Sequence, residues 1–434
     1  MKRIISSLCA MACLVTAAAA KSVSADKGIS CVTSVARIFG DGEKVDSVIV
    51  SYKKAIDPQS VSADDYEVEG RRIASASVSG KDVTLQLVYE NKWDASGGQM
   101  QMRGGGRRPD GEDKAGGGRP GEGQGAGPRF DSEGSPVDLS CTVRQLGEVA
   151  AHNGTVYTAG SAIRNTRVRE PELELFQKKS FTDSGTGITL PYFVYLPDGY
   201  SKKERYPLVF FVPDASADTN IDTATLTQGN GAIVWASEEE QAKHKAIVVA
   251  VQYPLQAVRE HGALTDDSYT WTDGLSAVYK LLQHLLATYS VDTSRIYGTG
   301  QSQGCMTNIA LSDRYPDLFA AQFLVAGQWN VEEMAAMKDK KLWIVVCEGD
   351  GKAYPEMSAA VGLWESLGAS VARGDSFWKQ QRTEAEKQAD TDAMRAKGAD
   401  IMFNVIEGGS HMYTWSVAYD IAGIRDWLFE QQSR

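Results

Sequence analysis

Ser294-Arg295-Ile296-Tyr297-Gly298-Thr299-Gly300-Gln301-Ser302-Gln303-Gly304-Cys305-Met306-Thr307-Asn308-Ile309-Ala310-Leu311 is the stretch on which the reading of this chain turns. Its start is β-type, its centre is Gly-x-Ser-x-Gly, and its end is a helical run of small and apolar residues. A serine on so sharp a strand-to-helix turn holds its hydroxyl clear of the backbone, as a nucleophile requires. Gly300 and Gly304 suit that turn, because a Cβ at either position would collide with the adjoining strand and helix. In a chain with 42 glycines the five-residue pattern is weak by itself. The flanking strand and helix are what give it weight.

A nucleophile elbow of this kind expects an acid and then a histidine further along the chain. Of the five histidines, His152, His244, His261, His284 and His411, only His411 follows Ser302. It lies in the Gly-rich stretch Glu407-Gly408-Gly409-Ser410-His411, after the strand-like run Ile401–Ile406. The acid is expected after Lys341-Leu342-Trp343-Ile344-Val345-Val346-Cys347, an apolar run typical of a strand buried on both faces. That run ends in Glu348-Gly349-Asp350-Gly351. Asp350, between two glycines in the turn, is the chosen acid. Glu348 stays as a rival, since two residues two places apart share a side in an extended strand.

The first twenty residues read as an export signal: Lys2 and Arg3, an apolar stretch from Ile4 to Thr16, then Ala18-Ala19-Ala20 before a cleavage point. The expected location is therefore secreted or periplasmic. No later stretch is long and apolar enough to span a bilayer. Without Lys2 and Arg3 the formal charge moves from −11 to −13, which suits neither nucleic acid nor an anionic membrane as a partner. Cys31, Cys141, Cys305 and Cys347 are too few for a disulfide framework, though Cys31 and Cys141 offer one pair for a bridge.

Two regions follow the signal. Residues 28–168 carry short β-type runs (Val32–Phe39, Asp46–Tyr52, Tyr66–Val68, Ile73–Val78, Val83–Val88) divided by turn signals, the pattern of a small Ig-like β-sandwich. Within it, residues 97–136 hold 14 of the 42 glycines and almost nothing apolar, so a disordered loop is expected there before β-type sequence resumes at Val137. Residues 172–434 alternate strands with helices, among them a helix over Asp273–Ser290 with an apolar face at Leu275, Val278, Leu281, Leu282 and Leu285. One last helix is expected near Ala418–Gln431. This succession predicts a mostly parallel sheet covered by helices, the α/β-hydrolase class.

Four stretches carry a more specific likeness: Ile38–Val45 with Tyr66–Gly70; Gly231-Ala232-Ile233-Val234-Trp235-Ala236; the elbow; and His411-Met412-Tyr413-Thr414-Trp415 continuing to Ile424–Phe429. In them the chain resembles the secreted bacterial esterases that place an Ig-like domain before an α/β-hydrolase domain related to prolyl oligopeptidases and to feruloyl and polyhydroxybutyrate esterases. The resemblance implies Ser302 as nucleophile, Asp350 as acid and His411 as base. It also implies an oxyanion hole built from the backbone N–H of Gln303 and of a residue after the strand Pro207–Val212. Relatives usually carry His-Gly there, whereas this chain has Pro213-Asp214-Ala215-Ser216. Ala215 can supply a main-chain donor, but Asp214 brings a carboxylate that would oppose an oxyanion unless it turns away.

The expected activity is a serine carboxylic-ester hydrolase, its natural ester an acyl or aryl decoration on a polysaccharide as the resemblance implies. A prolyl oligopeptidase-like peptidase is the enzymatic alternative, and a binding protein on a degenerate hydrolase is the non-enzymatic one. Trp415 and Tyr413 are candidates for the wall of a substrate pocket, with Trp271 and Trp378 behind them. The charged segment Ser376–Lys397 reads as a surface helix, with a lid as the other reading. No His or Cys cluster has metal-ligand spacing and no strand leads into a phosphate-binding Gly-rich loop, so neither metal nor cofactor is expected.

Overall fold

The computed structural model describes residues 21–93 and 134–433. The expected signal over residues 1–20, and residues 97–133 of the expected disordered loop, lie outside the described residues. Two compact units are formed, one from residues up to Val35 with Val45–Tyr89 and Leu139–Arg169, the other from Ala36–Lys44, Glu90–Asp138 and Glu170–Arg434.

The first unit is mainly β, with a short helix at Ala25–Gly28 and two 3-10 turns. Its main sheet runs in the order Arg167–Arg169, Ile29–Phe39, Gly42–Tyr52, Asp82–Leu87, Ile73–Ser79. Alternation explains it: Val48, Val50 and Tyr52 on one strand and Val83, Leu85 and Leu87 on another point into the same core. Two three-stranded sheets, one of them built on Thr142–Gln145, complete the unit. The buried Tyr52 hydroxyl meets Tyr66 Oη at 2.8 Å and Gln145 Oε1 at 2.6 Å, so the polar atoms inside this core are partnered. Cys31, Cys141, Cys305 and Cys347 are all free thiols, and the bridge between the first two is not made.

The second unit is built on a nine-stranded sheet. Its strands in chain order are β1 (Gln177–Thr182), β2 (Thr189–Tyr195), β3 (Tyr206–Val212), β4 (Ile247–Val251), β5 (Val291–Gln301), β6 (Ala321–Val325), β7 (Leu342–Cys347), β8 (Val371–Arg373) and β9 (Ile401–Ile406). They lie in the order β1-β2-β4-β3-β5-β6-β7-β9-β8. Only the β1–β2 and β2–β4 pairs are antiparallel, and the remaining pairs are parallel.

Parallel strands are buried on both faces, which is why the central ones read as unbroken apolar runs. In β3, Leu208, Phe210 and Val212 enter one core and Val209 and Phe211 the other. The first core is closed by α3 (Asp273–Thr288), α4 (Gln303–Arg314) and α5 (Ala353–Ser366). The second is closed by α7 (His411–Ala418) and α8 (Ala422–Phe429), with Met394 of α6 (Glu384–Arg395). Two shorter helices, α1 (Glu238–Lys243) and α2 (Leu255–His261), precede these. This is the α/β-hydrolase arrangement, with an Ig-like domain before it in the chain.

Three elements differ from expectation. The helix expected over Asp273–Ser290 stops at Thr288, where Tyr289 turns extended. The helix expected near Ala418–Gln431 spans only Ala422–Phe429, since Ala418 closes α7 and the residues between the two helices are otherwise engaged: the Arg425 guanidinium donates to the Tyr419 carbonyl, and Asp420 accepts from Asn230 Nδ2 at 2.6 Å. The charged segment 376–397 is helical only in α6, which starts at a Thr383–Glu386 capping box and buries Thr391 and Met394. Residues 36–44 include the adjoining ends of the sandwich strands Ile29–Phe39 and Gly42–Tyr52, as expected, but group with the second unit. There Ile38 joins its core, and a Cβ on Gly40 would lie 2.1 Å from the Ser416 carbonyl oxygen.

Candidate active site

Ser302 stands where β5 ends and α4 begins, with φ 51° and ψ −119°. A residue with a side chain avoids that conformation, at a cost of about 1–3 kcal/mol, unless its surroundings hold it there. They do so here. The Ser302 N–H donates to Val325 O at 3.1 Å, and the Ser302 carbonyl accepts from Met306 N at 3.0 Å. A Cβ on Gly300 would lie 2.4 Å from Val212 O, and one on Gly304 would lie 1.8 Å from the same oxygen. The two glycines thus let the elbow close onto the end of β3.

The acid and base arrive on two turns that touch. The turn after β7 and the turn after β9 bond through Glu348 N to Ile406 O at 2.8 Å and Gly349 N to Gly408 O at 2.9 Å. A Cβ on Gly349 would sit 1.9 Å from Gly409 O. His411 is not in a loop as expected but is the first residue of α7, whose N-cap Ser410 accepts from Tyr413 N at 3.2 Å. The helix start fixes the direction in which the imidazole leaves the backbone.

These placements bring three side chains into line. His411 Nε2 is 2.9 Å from Ser302 Oγ, and His411 Nδ1 is 2.5 Å from Asp350 Oδ2. Asp350 is 3% exposed, and its other oxygen accepts from Lys352 N at 3.2 Å and Ala353 N at 3.0 Å. Burial pushes the Asp350 carboxyl upward, but the bond from His411, the charge of that ring and the two backbone donors together hold it below its ordinary range. The rival Glu348 is exposed and accepts from Gly408 N at 3.0 Å, so it props the histidine turn and does not meet the ring. The chain leaves β7 at Cys347, and past that point strand alternation no longer puts the two acids on one side.

Gln303 and Ala215 open α4 and a short 3-10 turn respectively, so each presents a first-turn N–H that has no partner within its own helix. The β3 loop runs directly against the elbow, with Pro213 O 2.8 Å from where a Cβ of residue 304 would be. Asp214 caps the 3-10 turn: one carboxylate oxygen accepts from Ser216 N at 2.7 Å and the other from Gln301 Nε2 at 3.3 Å. The carboxylate that the sequence left as a hazard is thus committed to two donors.

Tyr413 and Trp415 are each 4% exposed and sit in the core under α7, not on an open pocket wall. The Tyr413 hydroxyl donates to Gln380 O at 3.0 Å, and the Trp415 ring meets His411 edge-on at 5.1 Å. The helix that begins at His411 is buried from Tyr413 to Ser416, on several sides at once, so both rings enter the core. Trp378 is likewise buried, and Trp271 is half-buried with its Nε1 donating to Ser276 Oγ at 2.8 Å.

Two residues that carried no role in the sequence reading, one beside the elbow and one within it, are tied into its surroundings. Asp218, 2% exposed, accepts from Gln303 Nε2 with both oxygens at 3.1 and 3.0 Å, and burial drives its carboxyl well above the usual range. Gln301 bridges Asp214 and Gln228, the latter at 2.9 Å. Neither had a readable signal, because each acts through a partner more than seventy residues away. Metal-ligand spacing occurs at other side chains, Glu240, His244 and Asp426.

Comparison with known proteins bears on both units. Residues 31–158 match the esterase Ig-like N-terminal domain, and residues 190–376 match the esterase PHB depolymerase family, a span that includes Ser302 and Asp350 and stops before His411. Feruloyl esterase B of Talaromyces funiculosus is 38% identical over 56 residues, which is 13% of this chain and 16% of that protein. The crystal structure of a thermostable esterase superposes with a TM-score of 0.69 at 22% identity, covering 93% of this chain and 100% of that one. A feruloyl esterase module from Clostridium thermocellum, solved with sinapinate, matches at a TM-score of 0.38 and 14% identity over 57% of this chain and 86% of its own.

Proposed function

We propose that this chain, which carries an esterase Ig-like N-terminal domain followed by an esterase domain of the PHB depolymerase family, hydrolyses carboxylic esters through an acyl-enzyme on Ser302. One observation carries the reading: Ser302 Oγ, the His411 ring and the buried Asp350 carboxylate stand in hydrogen-bonded sequence at 2.9 and 2.5 Å.

His411 Nε2 takes the hydroxyl proton as Oγ attacks the ester carbonyl, forming the tetrahedral intermediate. Asp350 holds the Nδ1–H tautomer and offsets the charge on the imidazolium. The main-chain N–H groups of Gln303 and Ala215 face the oxyanion. The imidazolium then gives its proton to the departing alcohol as the C–O bond breaks, leaving the acyl group on Ser302. A water molecule, deprotonated by the same ring, releases the acid and restores the serine. The substrate is an aryl or acyl ester of the sort borne by polysaccharides, in keeping with the name of the fungal feruloyl esterase. Lys2, Arg3 and the apolar run after them support export to a secreted or periplasmic location.

The degenerate-hydrolase reading rested on Asp214, and that carboxylate is engaged by Ser216 and Gln301. Wild type and Ser302→Ala compared on p-nitrophenyl acetate, p-nitrophenyl butyrate and methyl ferulate test the proposal. The variant is expected to lose at least about 10⁴-fold in kcat on every ester that the wild type turns over. Equal rates in the two proteins, or rapid turnover of short peptides beside inert esters, would overturn it.

A further inference from the structure

We infer that Glu240, His244 and Asp426, outside the serine site, form a binding site for a zinc-type divalent metal ion. Their ligand atoms all lie within 4.8 Å of one another. Glu240 and His244 are one helical turn apart at the end of α1, where His244 N donates to Glu240 O at 2.8 Å. Asp426 comes from α8, and its Oδ1 is 2.9 Å from His244 Nε2. The His244 ring stacks on Phe429 at 4.5 Å and 14°, which fixes the plane in which Nε2 points.

Glu240 supplies the independent sign of a ligand. It is 1% exposed, and its Oε2 accepts from Arg425 Nε at 2.7 Å. Its Oε1 is buried and has no hydrogen-bond partner among the described residues. His244 Nε2 stands 4.0 Å from that oxygen, past hydrogen-bonding distance. A buried carboxylate oxygen without a donor is costly in a protein interior, and a cation between the two residues would satisfy it.

The donor set and charge fit such an ion. Zinc binds His nitrogen and carboxylate oxygen at about 2.0–2.2 Å, which places tetrahedral ligands roughly 3.4 Å apart. The two spacings from His244 Nε2, 2.9 and 4.0 Å, straddle that value, and with all three ligand atoms within 4.8 Å of one another, side-chain shifts of about an ångström bring them to one centre. Two carboxylates with one guanidinium leave a single formal negative charge, which a divalent cation reverses without excess. The imidazole favours zinc and its transition-metal neighbours over calcium or magnesium. The His244 and Asp426 side chains are 23% and 30% exposed, giving the ion an entry path and water a fourth position. An ion held there ties α1 to α8 and takes no part in the chemistry at Ser302. The pair Glu240 and His244 had no readable metal signal because its third ligand lies 182 residues beyond the histidine.

Zinc chloride titrated calorimetrically into the full chain, first stripped with a chelator, tests the site. The expected result is one zinc per chain at micromolar affinity or tighter, with a thermal midpoint raised by about 3 °C or more in excess zinc and unmoved by calcium. His244→Gln and Asp426→Asn should each weaken zinc binding at least about 100-fold, since removing even groups behind the ligands costs roughly 10–100-fold. Both variants should keep wild-type turnover of p-nitrophenyl acetate, which reports that they fold. Zinc that binds the variants as it binds wild type, or no saturable uptake, means a plain His–carboxylate ion pair and overturns the inference. Cobalt added to the stripped wild type gives a readout independent of any variant. Intense visible absorption marks a four-coordinate protein site, and a spectrum like that of the free aqua ion rejects it.

Discussion

Asp350 is the residue at which positioning and chemistry can be separated. Its carboxylate takes two backbone N–H groups on one oxygen and the His411 Nδ1 on the other. Asp350→Asn keeps the shape and the turn but presents the ring with a neutral amide, so the tautomer and the imidazolium both lose support. In steady-state kinetics on p-nitrophenyl butyrate, kcat is expected to fall on the order of 10⁴-fold with KM little changed. Glu348→Gln, which leaves an amide oxygen for Gly408 N, is expected to stay within a few-fold of wild type. The reverse ranking would move the acid to Glu348. Ser302 and His411 were legible in the sequence because chain order and the elbow pattern restrict them. The choice between two acids two places apart was not, since it depends on where the strand ends. Nor was the burial of Tyr413 and Trp415, which a helix starting at His411 decides.

Secondary structure was most readable where the period is strong and local. The apolar face of α3 and the unbroken apolar run of β7 are cases in point, the buried set of α3 containing all five residues named from spacing. Reading failed where a distant group decides. The break between α7 and α8 has neither proline nor glycine in Tyr419-Asp420-Ile421, and the contacts that make it come from Arg425 and Asn230. Gly304 shows how tightly the elbow is built, because backbone oxygens stand 1.8 and 2.8 Å from a Cβ at that position. The atoms such a Cβ would meet, Val212 C and O and Pro213 O, are all backbone, so no flexible side chain can yield. Gly304→Ala is therefore expected to destabilise the protein by about 3 kcal/mol or more, read as a lower urea midpoint, and to lose esterase activity in whatever fraction folds. An unchanged midpoint would mean that α4 can slide away from β3.

On the scale of the whole chain, the two-region organisation was legible from composition and from the change of period, whereas the order of strands in the sheet was not, because crossovers leave no local trace. The assignment of residues 36–44 was hidden for a related reason: Ile29–Phe39 and Gly42–Tyr52 are continuous β-type runs, and nothing in their alternation marks where one unit gives way to the other. That hidden segment carries a pH dependence. Glu43 is buried within the second unit, and burial, followed by the charges of Glu170 and Glu172, pushes its carboxyl up to about 7 from an ordinary 4.5. Below pH 4.5 the group is protonated whether the chain is folded or not, and it costs nothing. Between 4.5 and about 7 the folded chain keeps a proton that the unfolded chain has released, so stability falls as pH rises. Above about 7 the cost is constant. Glu43→Gln removes the titration while keeping the shape. Thermal midpoints of the two proteins at pH 5, 6, 7 and 8 should therefore diverge from pH 5 to 7, with the variant gaining on the wild type, and then run parallel. A constant difference across the whole range would show that Glu43 releases its proton as readily in the folded protein as out of it.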